Sequence, residues 1–201
     1  MGDLGRSHGG AQMKEVTNFL LIFCALIVLC MGYIYSQGGS PFALAGGQHM
    51  PTMQGDSVVG GPSLSAFKID AILSDAGSPA AGTGSTFTLD SATYNIDDAV
   101  ALAFFHHESS YGLYGAATQT HSIGNIICTP GYSCIGRFRS YATWAEGIDD
   151  WYKLIASSAY AGGGLTTLSQ IIPKYAPASD GNSESAYISA VQSDVQTWRT
   201  A

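Results

Sequence analysis

The stretch AFFHHESSYG, Ala103 to Gly112, places a carboxylate directly after an apolar run. AVALAFF is apolar enough to form a helix buried on most sides, and Glu108 stands at its end. Burying an ionised carboxylate costs several kcal/mol unless the group is paired or takes up a proton. A carboxylic acid that stays protonated near neutral pH is what a general acid requires. The alternative is a partly exposed glutamate at a helix end with no chemical role. The neighbouring groups offer less. His106 and His107 are adjacent, and adjacent helical side chains diverge by about 100°, so they do not converge on one ion. His121 could join them only by folding back, and no H-E-x-x-H is present, so no metal is expected. Ser109 and Ser110 lack a G-x-S-x-G elbow. Cys128 and Cys134 bracket TPGYS, in which Pro130-Gly131 signals a turn. Outside the cell a disulfide closing this loop is expected, with two free thiols as the alternative. C-x5-C is not a zinc spacing.

The elements that must position these groups follow from pattern. Leu64, Phe67, Ala71 and Ile72 recur at helical spacing, and Gly77-Ser78-Pro79 ends that helix. GTGS at 82–85 precedes a second helical stretch through Tyr94. Asp97 or Asp98 caps the helix that runs through Val100, Phe104 and Phe105 to Glu108. From Ser109 to Gly147 the chain turns to Gly, Thr, Ser and Tyr, consistent with loops and short strands, and FRSY at 138–141 reads as a strand. Helices return at Trp144 to Ala159, at Thr167 to Tyr175 with Thr167 and Gln170 in capping-box spacing, and at Ser183 to Trp198. The expected class is α+β, mostly helical, with a small irregular or β insert after the helix bearing Glu108.

The order of short motifs adds to this. Glu108-Ser109-Ser110-Tyr111-Gly112 is followed by Ser122-Ile123-Gly124-Asn125-Ile126, Phe138-Arg139-Ser140-Tyr141 and Trp144-Ala145-Glu146-Gly147-Ile148 with Trp151-Tyr152. Lys174-Tyr175-Ala176-Pro177 comes later, with Asp180 and Asn182. Over roughly Ser63 to Arg199 the series resembles the glucosaminidase branch of the lysozyme-like superfamily, endo-β-N-acetylglucosaminidases that cut peptidoglycan. The resemblance implies a lysozyme-like domain with Glu108 as catalytic acid. It implies that Gly124 and Asn125 set backbone and an amide against the sugar, and that Tyr141 lies in the cleft and serves activity. Tyr175 matches the far wall of the cleft. Tyr111, Tyr114, Tyr132 and Trp144 either stack on sugar rings or pack.

Glycosidases usually employ two carboxylates, yet Ser109 to Ala145 contains no Asp or Glu. The next acids are Glu146, Asp149 and Asp150, at a helix start where carboxylates also simply favour the dipole. A scheme with one acid is therefore expected: Glu108 protonates the glycosidic oxygen. The substrate's N-acetyl group, or a water held by Tyr141 and Asn125, then stabilises the oxocarbenium-like centre. No cofactor is required. A lytic transglycosylase, a muramidase or a wall-binding module without activity is the alternative, and a role in a phage or secretion machine stays open.

The 201-residue chain carries a formal charge of −7 and 11% aromatic residues. Arg6 and Lys14 balance Asp3 and Glu15, so the negative charge lies beyond residue 35. An acidic domain without a basic stripe argues against nucleic acid, and aromatic stacking is expected to supply much of the glycan binding. FLLIFCALIVLCMGYIY, residues 19–35, has no charge or proline and approaches the length of about 17 residues that a membrane helix needs. With Arg6 and Lys14 before it, residues 1–18 are expected in the cytoplasm and the rest outside. The rival is a signal peptide cut near Ala45. Cys24 and Cys30 read as membrane packing, residues 36–62 as a flexible linker, and 63–201 as the domain. The expected partners are thus peptidoglycan glycan strands and, through residues 19–35, the membrane.

Overall fold

The computed structural model describes residues 56–200. The expected tail, the apolar segment 19–35, the alternative cut near Ala45 and most of the linker lie outside the described residues. Among those described, no helix is long and apolar enough to cross a membrane. The protein there is mostly helical with one small two-stranded sheet. Order reaches further back than Ser63: Val58 is fully buried, Ser57 pairs with Thr167, and Val59 pairs with Ile96. A Val-Val pair in an otherwise polar stretch suffices to close two short bridges onto the domain.

Helix α1, Ala66–Asp75, starts where the Ser65 side chain accepts a hydrogen bond from the Lys68 N–H. It buries Ile69 and Leu73, one turn apart. The stripe expected from Leu64, Phe67, Ala71 and Ile72 is corrected here. Leu64 precedes the helix, and Phe67 is 83% exposed because the buried face is set by the 69/73 pair. Helix α2, Gly84–Tyr94, crosses α1 closely. The Gly84 N–H donates to Asp70 at 2.7 Å, and a Cβ on Gly84 would lie 2.1 Å from the Ala66 carbonyl oxygen. Only glycine permits that approach.

Helix α3, Asp98–Ser109, carries Glu108. Asp97 is its N-cap, accepting from the Ala99 N–H at 2.9 Å. Asp98 takes a different part: its Oδ1 accepts the N–H groups of Ser63 and Leu64 and ties the entry chain to the helix. From Asp98 to Phe105 every residue is buried. Each large apolar side chain in such a position contributes about 1.5–3 kcal/mol by leaving water. The helix stops because Ser110 and Tyr111 adopt left-handed backbone conformations.

After α3 come a short helix α4, Ala117–Thr120, and a hairpin of β1, Cys134–Ile135, with β2, Phe138–Arg139. Cys134 faces Arg139 and Ile135 faces Phe138. The strand expected over 138–141 is thus confined to its first half. A disulfide joins Cys128 to Cys134, the pairing expected from the sequence. Helix α5, Trp144–Ala156, buries Ile148, Trp151, Tyr152 and Ile155 and ends before the expected Ala159. Helix α6, Leu168–Tyr175, opens on the Thr167/Gln170 capping box. Helix α7, Glu184–Thr200, packs along α3 and against α6. Phe104 sits at the junction of these elements, with the rings of Trp151, Tyr175 and Tyr187 at 5.1, 5.1 and 5.4 Å.

Candidate active site

Glu108 occupies the last turn of α3, where the buried helix meets a cleft of about 640 Å³. The α7 residue Tyr187 donates its hydroxyl to Glu108 Oε1 at 2.7 Å, and Asn125 Nδ2 donates to Oε2 at 3.1 Å. The same Asn125 amide bonds the Glu108 carbonyl at 3.2 Å. Burial raises the Glu108 pKa, and the hydrogen bonds from Tyr187 and Asn125 only partly oppose that shift. Each carboxyl oxygen thus accepts one hydrogen bond, and both donors are uncharged.

Gly124 and Asn125 reach this place through a tight turn. Asn125 has φ 45°, a left-handed conformation that asparagine tolerates better than most residues. Tyr175 donates its hydroxyl to the Gly124 carbonyl at 2.5 Å, and burial followed by the charge of Glu108 pushes its pKa well above the usual range. Glu108, Gly124, Asn125 and Tyr175 therefore line one cleft, and the structure brings these four sequence-derived candidates together.

The remaining candidates stand elsewhere. Tyr141 does not line the cleft; its hydroxyl is held by Asp150 Oδ2 at 2.5 Å. The same Oδ2 accepts from Arg139 at 2.8 Å, in a pair that is almost fully buried, and Arg139 lies over the Tyr132 ring at 3.7 Å. Tyr141 is thus part of the wall behind the cleft, with its hydroxyl committed to a carboxylate. Tyr111 is buried and stacks on His106 at 4.5 Å. Trp144 packs on Phe105 and His121 at 5.2 and 5.1 Å. Gly112, at φ 83°, lets Trp144 approach so closely that a Cβ would meet its ring at 2.5 Å. Tyr111 and Trp144 accordingly belong to a packing cluster at the α3 terminus, not to the cleft lining. Tyr114 is exposed and also lies off that lining.

The acids weighed as second catalytic groups have other occupations. Asp149 accepts from Tyr94 and pairs with Lys153, Glu146 accepts the Ala142 N–H, and Asp150 belongs to Arg139 and Tyr141. Apart from Glu108, the acid lining the cleft is Asp180. His106 pairs with Asp194 at 2.6 Å, whereas the His107 ring lies tilted against Tyr187 at 3.8 Å, so the two histidines turn to different partners. No group of three metal-ligating side chains converges among the described residues.

Sequence reasoning missed Tyr187, which is 79 residues from Glu108 and reads as an ordinary apolar-stripe position. It also missed Arg137 and Tyr160 on the cleft lining. No local pattern marks these, because their place depends on how α7 and the insert fold back on α3. No protein-family model matches the chain, and no curated protein matches it.

Proposed function

We propose that this chain is a peptidoglycan hydrolase that cleaves β-1,4 bonds of the glycan strand as an endo-β-N-acetylglucosaminidase, with Glu108 as general acid in a lysozyme-like domain. One observation carries the proposal. A carboxyl group shifted toward its protonated form by burial, and held by two neutral donors, lines an open cleft. That is the state required to protonate a leaving glycosidic oxygen. Asn125 fixes the carboxyl plane, and the Gly124 backbone with Tyr175 forms the adjoining wall. The substrate's own N-acetyl group stabilises the developing oxocarbenium-like centre. Tyr141 contributes through its bond to Asp150, which pairs with the cleft-lining Arg139. The Cys128–Cys134 disulfide supports an oxidising, extracytoplasmic location, in keeping with a membrane tether through residues 19–35 or secretion after cleavage.

A lytic transglycosylase on the same scaffold also works with one acid, and the commitment of Asp149, Asp150 and Glu146 to other partners suits it equally; a muramidase is the other enzyme alternative. The test separates these. The full chain in detergent, with Glu108→Gln alongside, is incubated with purified peptidoglycan, and the reduced fragments are read by mass spectrometry. Reduced GlcNAc ends made by the parent, and about 100-fold fewer or less by Glu108→Gln, are expected. Anhydromuramyl or MurNAc ends would move the enzyme to the second reading. Wall binding without release, unaltered by the substitution, would leave a binding module and refute the acid.

A further inference from the structure

The lining of the Glu108 cleft is basic although the chain is not. Of the eight lysines and arginines in a chain of charge −7, Arg137, Arg139 and Lys174 line this single cleft. Arg139 is neutralised by Asp150. Arg137 and Lys174 differ. Arg137 stands at the exposed hairpin turn between β1 and β2, rests against the Phe138 ring at 5.2 Å, and forms no ion pair among the described residues. Lys174, on α6, donates to the Ala159 carbonyl at 2.5 Å and lies over the Tyr160 ring at 5.1 Å. Neither of those partners carries a charge. The acids facing these cations across the lining are Glu108, inclined to its neutral form, and the exposed Asp180.

A strand of N-acetylated sugars is itself uncharged, so a cation in the groove gains nothing from the sugar rings. Carboxylates enter only with the muramyl side chain, as the free lactyl acid or as the acids of an attached peptide stem. We infer that Arg137 and Lys174 bind a carboxylate carried on the muramyl side chains, so that the cleft selects acid-bearing strands over neutral ones. The inference rests on the hydrolase reading and gives its specificity. The pair stands on separate elements, the hairpin and α6. Arg137 is free to fork onto a carboxylate, and Lys174 is already held in place by Ala159 and Tyr160.

The test uses the full-length Glu108→Gln chain in detergent as the binding form. Affinity is measured for four oligosaccharides of equal length. One is a neutral N-acetylglucosamine oligomer, one is muramyl-containing with free lactyl acid, one carries a peptide stem, and one carries that stem with its acids amidated. Two exposed ion pairs should give about tenfold tighter binding of an acid-bearing strand. Most of that preference should vanish in about 1 M salt, where the Debye length is about 3 Å, and in Arg137→Gln/Lys174→Gln. Lys153→Gln, whose cation pairs with Asp149 outside the cleft, should keep it. Tighter binding of the lactyl form or of the stem form tells which carboxylate is read, and either supports the inference. Equal affinity for neutral, amidated and acid-bearing strands would overturn it, as would a preference that survives the double substitution. Cleavage by the parent chain is followed on the same compounds. No cleavage of any would overturn the hydrolase reading, whereas equal cleavage of neutral and acid-bearing strands would overturn this specificity alone.

Discussion

Replacing Gly124 by alanine inserts a methyl group where three atoms already stand. Its Cβ would lie 2.1 Å from the Tyr175 hydroxyl oxygen and 2.4 and 2.8 Å from Cδ1 and Nε1 of Trp151. Neither ring is a flexible tip that can swing aside. Both pack on Phe104 at 5.1 Å, and Trp151 is fully buried within α5. Overpacking a site of this kind costs about 1–3 kcal/mol. Displacing Tyr175 also breaks its bond to the Gly124 carbonyl, about 1 kcal/mol more. The sum, about 3 kcal/mol, corresponds to a fall in Tm of roughly 10 °C for a domain of this size.

The assay is thermal unfolding followed by circular dichroism, with Gly124→Ala, Tyr175→Phe and the double variant. Removing the hydroxyl that the new methyl meets first should relieve part of the clash, so the double variant should melt above the sum of the single losses. A Gly124→Ala protein that melts within a degree or two of the parent would show that the turn bearing Asn125 has slack. The close packing invoked between Gly124, Tyr175 and Trp151 would then be refuted.

Two further outcomes follow from buried charge. Asp150→Ala strips the partner from an almost fully buried Arg139 guanidinium, a change that costs about 3–5 kcal/mol, and denaturant unfolding should show it; a loss below about 1 kcal/mol would mean that water already reaches the pair. Glu108→Gln should shift stability in a pH-dependent way. The ordinary pKa of Glu108 is 4.5 and folding raises it, so its favourable contribution is complete below that value and is lost as pH rises through the folded pKa. The variant's Tm relative to the parent should therefore improve between about pH 4 and pH 7, and a difference independent of pH would contradict the burial of the acid.

Much of the helical frame was legible because it rests on local rules. The Asp97 cap, the Thr167/Gln170 box and the Trp151/Tyr152/Ile155 stripe each appear where short-range chemistry puts them. Phe67 misled because a large apolar residue in a short helix counts toward a stripe whether or not a neighbour covers it. At the cleft, Glu108 was singled out from its place after an apolar run, and Gly124, Asn125 and Tyr175 through the resemblance that the motif order carries; the four line one cleft. Tyr111, Trp144 and Tyr141 were drawn in by the same motifs, yet the left-handed turn after α3 sends the first two into packing, and Asp150 claims the third. Tyr187 was hidden because its hydroxyl matters only once α7 lies along α3.

Glu108 and Asp150 differ in the charge of the partners that this fold gives them. Both are withdrawn from bulk water, and both accept a hydrogen bond from a tyrosine hydroxyl. Asp150 also faces the Arg139 guanidinium at 2.8 Å, in an almost fully buried ion pair. The donors to Glu108 are a phenol and a primary amide, which orient the group without supplying a positive charge. A cation at the position of Asn125 would bring the same geometry but favour the ionised form and abolish proton donation. The placement of Arg137 and Lys174 on the lining, with the hydrogen bonds to Glu108 coming from Tyr187 and Asn125, is consistent with this requirement. On the proposed hydrolase reading, the groove would attract an anionic substrate while its acid stays among neutral donors.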